Sequence, residues 1–544
     1  MGFAALIGFL QIYSIFFAID KLAVIVVYII ALISALFSYK YFLQIAVRIL
    51  DTPKRFKIVW ILGIIFIIII ISYNASLPLK VYDTDLYHLN TVKWASKYSA
   101  IPGIVNLHDR LAFNSSFHLF AALKNHWIWK DKAVYIANSF LLFLISIQWF
   151  SYIVKLPIVR FKISHAFAII TSPLVIWCIF CGFMSSLATD FSPIFLVLII
   201  IFELLSIEFK NLRDGKGYWN VMNRRNLFAW FMIISLASVS LSTKLNTIPM
   251  FAIILISSIF FFILFNLSRN AKYICCRHLL AVYGLSAIIV LGFIGRNIIL
   301  SGWLFYPFPF GNLHLDWSAS QQQVNWVITV TKSWARIPGK EPHEVLGNGF
   351  FHWFIPWYED FSKNPVVFVL LYTGIFGLIY ILLSNTTKMF RSLKSIPLFL
   401  SIAIGILSIF FWFFTCPDWR FGLIYFYVFG GASISPIIYL MIRSNSTGKI
   451  LVFCIVIFLI YIQGILVPHI TQKPKFLKLP PSRSKEVIPI TINNGQDPKL
   501  IIYKPKKGDQ CGNSPLPCSP YINENSNIEL RVPGQIKSGF RRMH

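Results

Sequence analysis

The chain contains 544 residues, of which 57% are hydrophobic and 13% charged, and its formal net charge is +28. A soluble protein of this length carries about twice that charged fraction, so the composition excludes a soluble globular protein. The apolar residues form continuous runs that approach the roughly 20 residues needed to cross a bilayer, which also excludes a transmembrane β-barrel. The basic residues lie between these runs and not on a separate basic helix or stripe, so we exclude a nucleic-acid-binding protein.

The apolar runs predict an all-α polytopic membrane protein with about thirteen transmembrane helices. The predicted spans are 3–19, 22–39, 58–74, 134–153, 165–181, 191–207, 227–242, 248–267, 279–295, 364–383, 397–415, 421–441 and 450–467. The first run has no basic leader and no clear cleavage site, so we interpret it as a retained span.

Lysine and arginine predict the orientation of these spans. Short basic connections alternate with less basic ones, and basic connections are expected in the cytoplasm. The basic connections are 40–57, 155–165, 208–226, 268–278, 384–396 and 441–449. The N-terminus is then cytoplasmic, and the tail from residue 468 is extracytoplasmic although it is basic. Two large loops, 75–133 and 296–363, lie outside with it. We therefore divide the chain into a transmembrane domain, 1–467, and a C-terminal appendage, 468–544.

The tail alternates apolar and polar residues between prolines and glycines, which predicts a small β-containing appendage. Cys511 and Cys518 flank the stretch CGNSPLPC and could close a small loop. A disulfide there requires an oxidising outer compartment. A zinc site is the weaker alternative, because two cysteines without nearby histidines do not complete one. We interpret the cysteines in or near spans as packing thiols: Cys178, Cys181, Cys275, Cys276, Cys416 and Cys454.

The stretch 81–123 follows the third span and reads VYDTDLYHLNTVKWASKYSAIPGIVNLHDRLAFNSSFHLFAAL. Polar side chains packed this densely beside a span mark a site at the membrane surface. Apolar residues at near-helical spacing from Leu86 to Tyr98 predict a short interfacial helix lying on the membrane, which Ile101-Pro102-Gly103 would end. The alternative is an ordinary amphipathic loop in which Asp83 or Asp85 caps a helix.

With the predicted topology, the unusual polar residues gather at the outer membrane face. They are Asp83, Asp85, His88, His108, Arg110, Asn114, Asp190, Lys244, Arg296, Asp418 and Arg420. A transporter more often places such groups at the middle of the bilayer. This distribution favours an enzyme that works at the level of the lipid headgroups.

One enzyme of this kind is a glycosyltransferase that uses a lipid-linked sugar as donor. The phosphate of such a donor lies at headgroup level, so the enzyme needs cations there to bind it. Arginine binds phosphate with paired donors and lysine acts as a point charge, which makes Lys244, Arg296 and Arg420 the candidates. The alternative for each is a side chain that reaches out of the bilayer from the end of a span.

A carboxylate must also deprotonate the acceptor hydroxyl, and Asp85 or Asp83 could do so. His88 follows Asp85 by about one helical turn and could bind phosphate, protonate the leaving group or help to hold a metal. A structural histidine is an equally good interpretation. Candidates for acceptor or sugar binding are Asp190, Asp418, His108, Arg110 and Asn114. Asp83, Asp85, His88 and Asp190 could supply ligands for a divalent cation, Mg²⁺ or Mn²⁺, but the sequence gives no definite ligand set.

The sequence Asp-Thr-Asp-Leu-Tyr-His at 83–88, in an outward loop followed by amphipathic helices, resembles the first external loop of GT-C glycosyltransferases. The resemblance implies a GT-C-like transmembrane domain, a polyprenyl-phosphate-linked sugar donor and an inverting displacement with Asp83 or Asp85 as base. Three predicted spans precede the loop here where many of these enzymes have one, and the tail is small. The chain also resembles an uncharacterised family of bacterial polytopic proteins. This resemblance is carried by loop 81–123, RNIILSGWLFYP, KSWARIPG, FTCPDWRFG and the tail.

We therefore expect a glycosyltransferase of the bacterial inner membrane. It would move a sugar from a polyprenyl-phosphate donor to a cell-surface glycan or glycolipid acceptor at the outer face, among membrane lipids and without nucleic acid. One alternative is an O-antigen polymerase or ligase, which tends to rely on Arg and His without an early acidic loop. Another is a flippase or exporter of lipid-linked sugars, which needs a polar path that these acid-poor spans do not provide.

Overall fold

The protein is a bundle of α-helices with a small β-containing tail. This architecture comes from a computed structural model, which describes residues 1–51, 54–78, 81–155, 161–207, 224–267, 276–383, 395–444, 452, 454–461, 485–492 and 499–543. The α-helices are α1 (Gly2–Phe16), α2 (Lys21–Phe37), α3 (Tyr39–Asp51), α4 (Lys54–Ala75), α5 (Leu89–Lys97), α6 (Ser116–Leu123), α7 (Ala133–Lys155), α8 (Ile163–Phe180), α9 (Phe191–Ser206), α10 (Arg224–Thr243), α11 (Ile248–Leu267), α12 (Cys276–Ser301), α13 (Gln321–Arg336), α14 (Pro342–Leu346), α15 (Phe350–Phe361), α16 (Pro365–Leu383), α17 (Ile396–Thr415) and α18 (Trp419–Ser444).

Nine helices in the described part of the chain are long and apolar enough to cross a membrane: α4, α7, α8, α10, α11, α12, α16, α17 and α18. Three further apolar helices, α1, α2 and α9, are shorter. The protein is therefore a membrane-embedded helical protein, as predicted, and each of these helices coincides with a predicted span. The predicted span 450–467 lies mostly outside the described residues, although 454–461 are helical. The total of thirteen spans and their orientation stay predictions.

Small residues bring three helices of the bundle close together. Helix α18 packs against α8, α16 and α17. A Cβ atom on Gly377 of α16 would lie 2.7 Å from the backbone of Ser433, and one on Gly405 of α17 would lie 2.8 Å from the backbone of Phe429. Glycine permits such close approach between apolar helices, where packing provides much of the association energy.

The predicted helix of the first outer loop is present as α5, which ends at Lys97, before Ile101-Pro102-Gly103. Its apolar residues Leu89, Val92 and Trp94 are buried by protein. The prediction that this helix lies on the membrane surface is therefore wrong for its apolar face, because α6 and the tail cover it.

The tail forms two antiparallel two-stranded sheets, β1 (Val487–Thr491) with β2 (Ile501–Pro505) and β3 (Ile528–Leu530) with β4 (Phe540–Arg542). The prediction of a small β-containing tail is confirmed. Its apolar residues share one hydrophobic core with the two outer loops, including Ile104, Trp303, Ile502 and Phe540. The predicted boundary at residue 468 lies outside the described residues.

Candidate functional site

The candidate site lies at one end of the bundle, where α4 and α10 end and α9 and α18 begin. Asp83 follows α4, Asp190 directly precedes α9, Lys244 directly follows α10, and Arg420 lies in the first turn of α18. The charges of Asp190, Lys244 and Arg420 all act on Asp83. We call these residues the charged cluster. Four elements from distant parts of the chain thus bring together two acidic and two basic residues. The sequence predicted each of these as a site residue but not that they lie together.

A π-helical turn, Thr84–His88, directs the acids of the loop in different directions. Such wide turns are frequent at functional sites. Asp83 contacts Arg110, the hydroxyl of Thr84 accepts a hydrogen bond from the backbone N–H of Leu187 at 3.3 Å, and Asp85 faces the tail. The bond from Leu187 ties the loop to the segment that leads into Asp190.

Asp83 is the acid of the first outer loop that belongs to the charged cluster. Its side chain is 44% exposed and lies 3.5 Å from Nη1 of Arg110. It makes no capping hydrogen bond to the turn that follows it, which argues against a purely capping role. Partial burial raises the pKa of Asp83, while Arg110 and Arg420 act in the opposite direction. A raised pKa makes a carboxylate a stronger base and brings its pKa closer to the value that suits a general base at neutral pH.

Asp85 is buried beneath the tail. Its side chain is 5% exposed and one carboxylate oxygen lies 3.7 Å from Nζ of Lys485. Its backbone carbonyl accepts a hydrogen bond from the N–H of Gly512 at 2.7 Å. Lys485 is not predictable from the sequence as a partner of Asp85, because no local pattern links it to a loop so far away along the chain.

Asp190 and Lys244 form a direct pair in which the ammonium group donates to the carboxylate. The same Nζ lies 3.5 Å from the ring centroid of Phe421, within cation–π range. Burial disfavours the ionised form of Asp190, but Lys244 and Arg420 outweigh it and lower the pKa. The side-chain amide of Asn138 fixes the preceding segment by donating to two of its carbonyl groups, each at 3.0 Å.

Arg420 is held by Asp418, two positions earlier. The carboxylate accepts from Nη2 at 2.8 Å, from Nε at 3.2 Å and from the Arg420 backbone N–H at 2.9 Å. The Arg420 side chain is nevertheless 38% exposed. Its guanidinium group is therefore oriented in advance, and Nη1 is not used in this pair.

A cleft opens beside the charged cluster, with a volume of about 420 Å³ including open solvent. Asp190 and Arg420 line it together with mostly apolar side chains: Val81, Trp177, Phe183, Ala188, Phe191, Ile194, Trp419 and Leu423. An apolar cleft with charge at one end suits an amphipathic ligand, whose charged group would lie against Arg420.

The two predicted histidines are buried and neutral. Burial lowers the pKa of His88 to about 3 and that of His108 to about 4. The ring of His88 packs against those of Tyr87 and His118, with centroids 4.3 and 4.9 Å away. His108 Nε2 lies 3.5 Å from a carboxylate oxygen of Asp109. Neither histidine adds positive charge to a phosphate site at neutral pH.

Arg296 and Asn114 lie in a different place from the charged cluster. Nε of Arg296 donates to the side-chain carbonyl of Asn114 at 3.0 Å, and Nη1 donates to the hydroxyl of Ser14 at 2.7 Å. Arg296 lines a second cavity, which Lys244 and Arg420 do not line. The structure thus separates the predicted phosphate-binding residues into two groups.

The described residues contain no group of three or more His, Cys, Asp or Glu side chains arranged to hold a metal ion. Asp190 pairs with Lys244, Asp83 contacts Arg110 and Asp85 faces Lys485. These acids are directed toward cations, so they offer no shared ligand set for Mg²⁺ or Mn²⁺.

Cys511 and Cys518 form a disulfide with an S–S distance of 2.06 Å. The loop that it closes lies against the start of the outer loop: Lys93 donates to the carbonyl of Ser514, and Gly512 contacts Asp85. The tail is therefore part of the wall behind the π-helical turn.

A family model described as "Domain of unknown function (DUF8201)" matches residues 1–427. The matched segment contains every member of the charged cluster. No curated protein and no solved structure matches the chain.

Proposed function

We propose that this chain, which belongs to the DUF8201 family, is a membrane glycosyltransferase with a polyprenyl-phosphate-linked sugar as donor. The observation that carries the proposal is the charged cluster at the end of a mostly apolar cleft. A polyprenyl-phosphate sugar has the same order of parts: an apolar chain, then a phosphate, then a sugar. The cleft would take the chain and leave the sugar beside Asp83.

Arg420 and Lys244 would bind the donor phosphate. Asp418 and Asp190 hold these cations in place before the donor arrives. Arginine provides a planar fork for phosphate oxygens, and lysine provides a compact charge. Because the cations are already oriented, little ordering is needed when the donor binds.

Asp83 would act as the base. It takes the proton of an acceptor hydroxyl while the hydroxyl oxygen attacks the anomeric carbon from the face opposite the phosphate. The bond between the anomeric carbon and the phosphate oxygen breaks, and polyprenyl phosphate leaves with the bonding electrons. Arg420 and Lys244 stabilise the negative charge that develops on it. The configuration at the anomeric carbon is inverted.

The acceptor in this proposal is a cell-surface glycan or a lipid-linked glycan. Arg110 lies next to Asp83 and is partly exposed, so it is well placed to contact acceptor hydroxyl groups. The reaction takes place at the outer face of the bacterial inner membrane, with the N-terminus in the cytoplasm. The distribution of lysine and arginine and the Cys511–Cys518 disulfide support this orientation.

The test replaces Asp83 with asparagine in cells that lack the native gene. A matched control is Asp360→Asn, since Asp360 is exposed and pairs with nearby Lys363. At equal protein levels, we expect Asp83→Asn to lower one sugar addition by roughly 100-fold or more, as loss of a general base does. Mass spectrometry of surface and lipid-linked glycans measures this, and the unglycosylated acceptor should accumulate.

Asp85→Asn separates catalysis from stability in the same cells. We expect it to reduce protein stability while the remaining folded protein keeps its activity, because Asp85 faces Lys485 and the tail. Unchanged glycans with Asp83→Asn would refute Asp83 as the base. Loss of all lipid-linked sugars from the outer face would favour an exporter instead.

A further inference from the structure

Arg296 is a buried cation without a nearby acid. Its side chain is 6% exposed, and it lies near the end of α12. Its hydrogen-bond acceptors are the neutral groups of Asn114 and Ser14. Within the described parts of the chain, no Asp or Glu lies within ion-pair distance of it. A buried charge is strongly unfavourable unless an opposite charge compensates it.

The indole N–H of Trp94 provides a buried hydrogen-bond donor that has no acceptor among the described residues. Trp94 and Arg296 line the same cavity, whose volume is about 440 Å³ including its opening. Buried polar groups are normally hydrogen-bonded, so an orphaned donor beside an uncompensated cation calls for an explanation.

We infer that this cavity binds a phosphate group. The phosphate would give Arg296 its opposite charge and would accept the hydrogen bond of Trp94. A guanidinium group matches phosphate oxygens in geometry and charge. The cavity is separate from the cleft beside Arg420, so this is a second anion site.

The location fits a phosphate at the membrane surface. Arg296 lies five residues before the end of α12, which corresponds to about 8 Å along a helix. The cavity wall also includes Tyr98, Ser99 and Ala100, which directly follow α5. The phosphate therefore comes either from a lipid headgroup or from free phosphate. The inference does not depend on glycosyltransferase activity, because binding can be measured without turnover.

The first experiment titrates the full-length protein in detergent with inorganic phosphate and measures binding by calorimetry. Arg296→Gln removes the charge, and Trp94→Phe removes the N–H while keeping an aromatic ring. We expect the dissociation constant to rise about tenfold with Arg296→Gln and roughly fivefold with Trp94→Phe. The control is Arg336→Gln, because Arg336 stacks on Trp353 at 4.2 Å and does not line the cavity.

The second experiment identifies the source of the phosphate. The same variants are purified in nanodiscs containing phosphatidylglycerol, and bound lipid is counted by native mass spectrometry. If the wild type retains bound lipid and both variants lose it, the phosphate belongs to a lipid headgroup. If the variants weaken only the binding of inorganic phosphate, the ligand is free phosphate. If Arg296→Gln does not fold, Trp94→Phe decides. Equal binding of both probes by the wild type and Trp94→Phe would overturn the inference.

Discussion

Asp83 and Asp85 are two positions apart, yet their surroundings differ. Asp83 is partly exposed beside Arg110 within the charged cluster, whereas Asp85 is buried against Lys485. Asp83 precedes the π-helical turn and Asp85 lies within it, so the two side chains point in different directions. A carboxylate that must meet a substrate needs access, and a carboxylate that anchors a tail needs a buried partner. The exposure of Asp83 fits the proposed role as a base, and the burial of Asp85 fits an anchoring role.

Buried histidines, His88 and His108 among them, make stability depend on pH. The pKa of His88 falls to about 3 and that of His108 to about 4, compared with 6.5 in the unfolded chain. Below pH 6.5 the unfolded state binds protons that the native state does not bind. The free energy of unfolding should therefore decrease as the pH falls from about 6.5 to 4, by up to about 1.4 kcal/mol per pH unit for each histidine.

Replacing His108 isolates one of these contributions. We expect His108→Gln to reduce the slope of unfolding free energy against pH by about 1 kcal/mol per pH unit. Unfolding of the purified protein between pH 7 and pH 4 measures the slope. His343→Gln is the control, because His343 is exposed on α14. An identical slope in the wild type and His108→Gln would contradict the assignment of His108 as a buried neutral group.

The tail crosses the first outer loop at close range. The N–H of Phe540 donates to the carbonyl of Pro102 at 2.9 Å. Gly103 has a φ of +63°, and a Cβ atom there would collide with the carbonyl of Phe540 and lie 2.7 Å from Cβ of Trp317. Glycine is therefore required at this position both for its backbone angle and for its lack of a side chain.

Gly103→Ala should loosen this crossing. We expect a cost of about 1 kcal/mol from the left-handed backbone and about 2 kcal/mol from crowding. Amide hydrogen exchange at Phe540 should become faster. Gly339→Ala is the matched control, since Gly339 has a φ of +83° and nothing within 4 Å of the added Cβ. If both variants lose the same stability, close approach of the tail contributes nothing.

At the scale of the whole molecule, the bundle places the side chains of the candidate site at one end. Asp83, Asp190, Lys244 and Arg420 come from four separate elements, and their helices alternate between ending and beginning at the site. The tail lies at the same end, since it packs on the loop that carries Asp83. The orientation of the bundle therefore decides on which side of the membrane the site works.

Cysteine labelling can determine that orientation. A cysteine replaces exposed Asn525 in the tail or exposed Lys40 in α3, and spheroplasts are treated with a membrane-impermeant maleimide. We expect Asn525→Cys to be labelled at once and Lys40→Cys only after permeabilisation, because basic connections stay in the cytoplasm. The parental chain, which keeps exposed Cys454, gives the background. The opposite pattern would place the charged cluster in the cytoplasm and exclude an outer-face donor.

Local features of the sequence predicted much of this fold. Continuous apolar runs predicted the positions of the helices, and alternation with Pro and Gly predicted the strands of the tail. The helix after Asp85 was predicted, but its burial under α6 and the tail was not. An amphipathic pattern shows that one face is apolar and does not show whether lipid or protein covers it.

Composition and residue type alone determined that this is a helical membrane protein with acids, lysine and arginine near the ends of its spans. These properties depend on neighbouring residues, so they can be read along the chain. Only the tertiary structure decided that the charges of Lys244 and Arg420 act on Asp83, that Asp85 faces Lys485 and that Arg296 lies in a separate cavity. Such pairings join residues far apart in sequence. They follow from how helices and tail pack together, which no local pattern records.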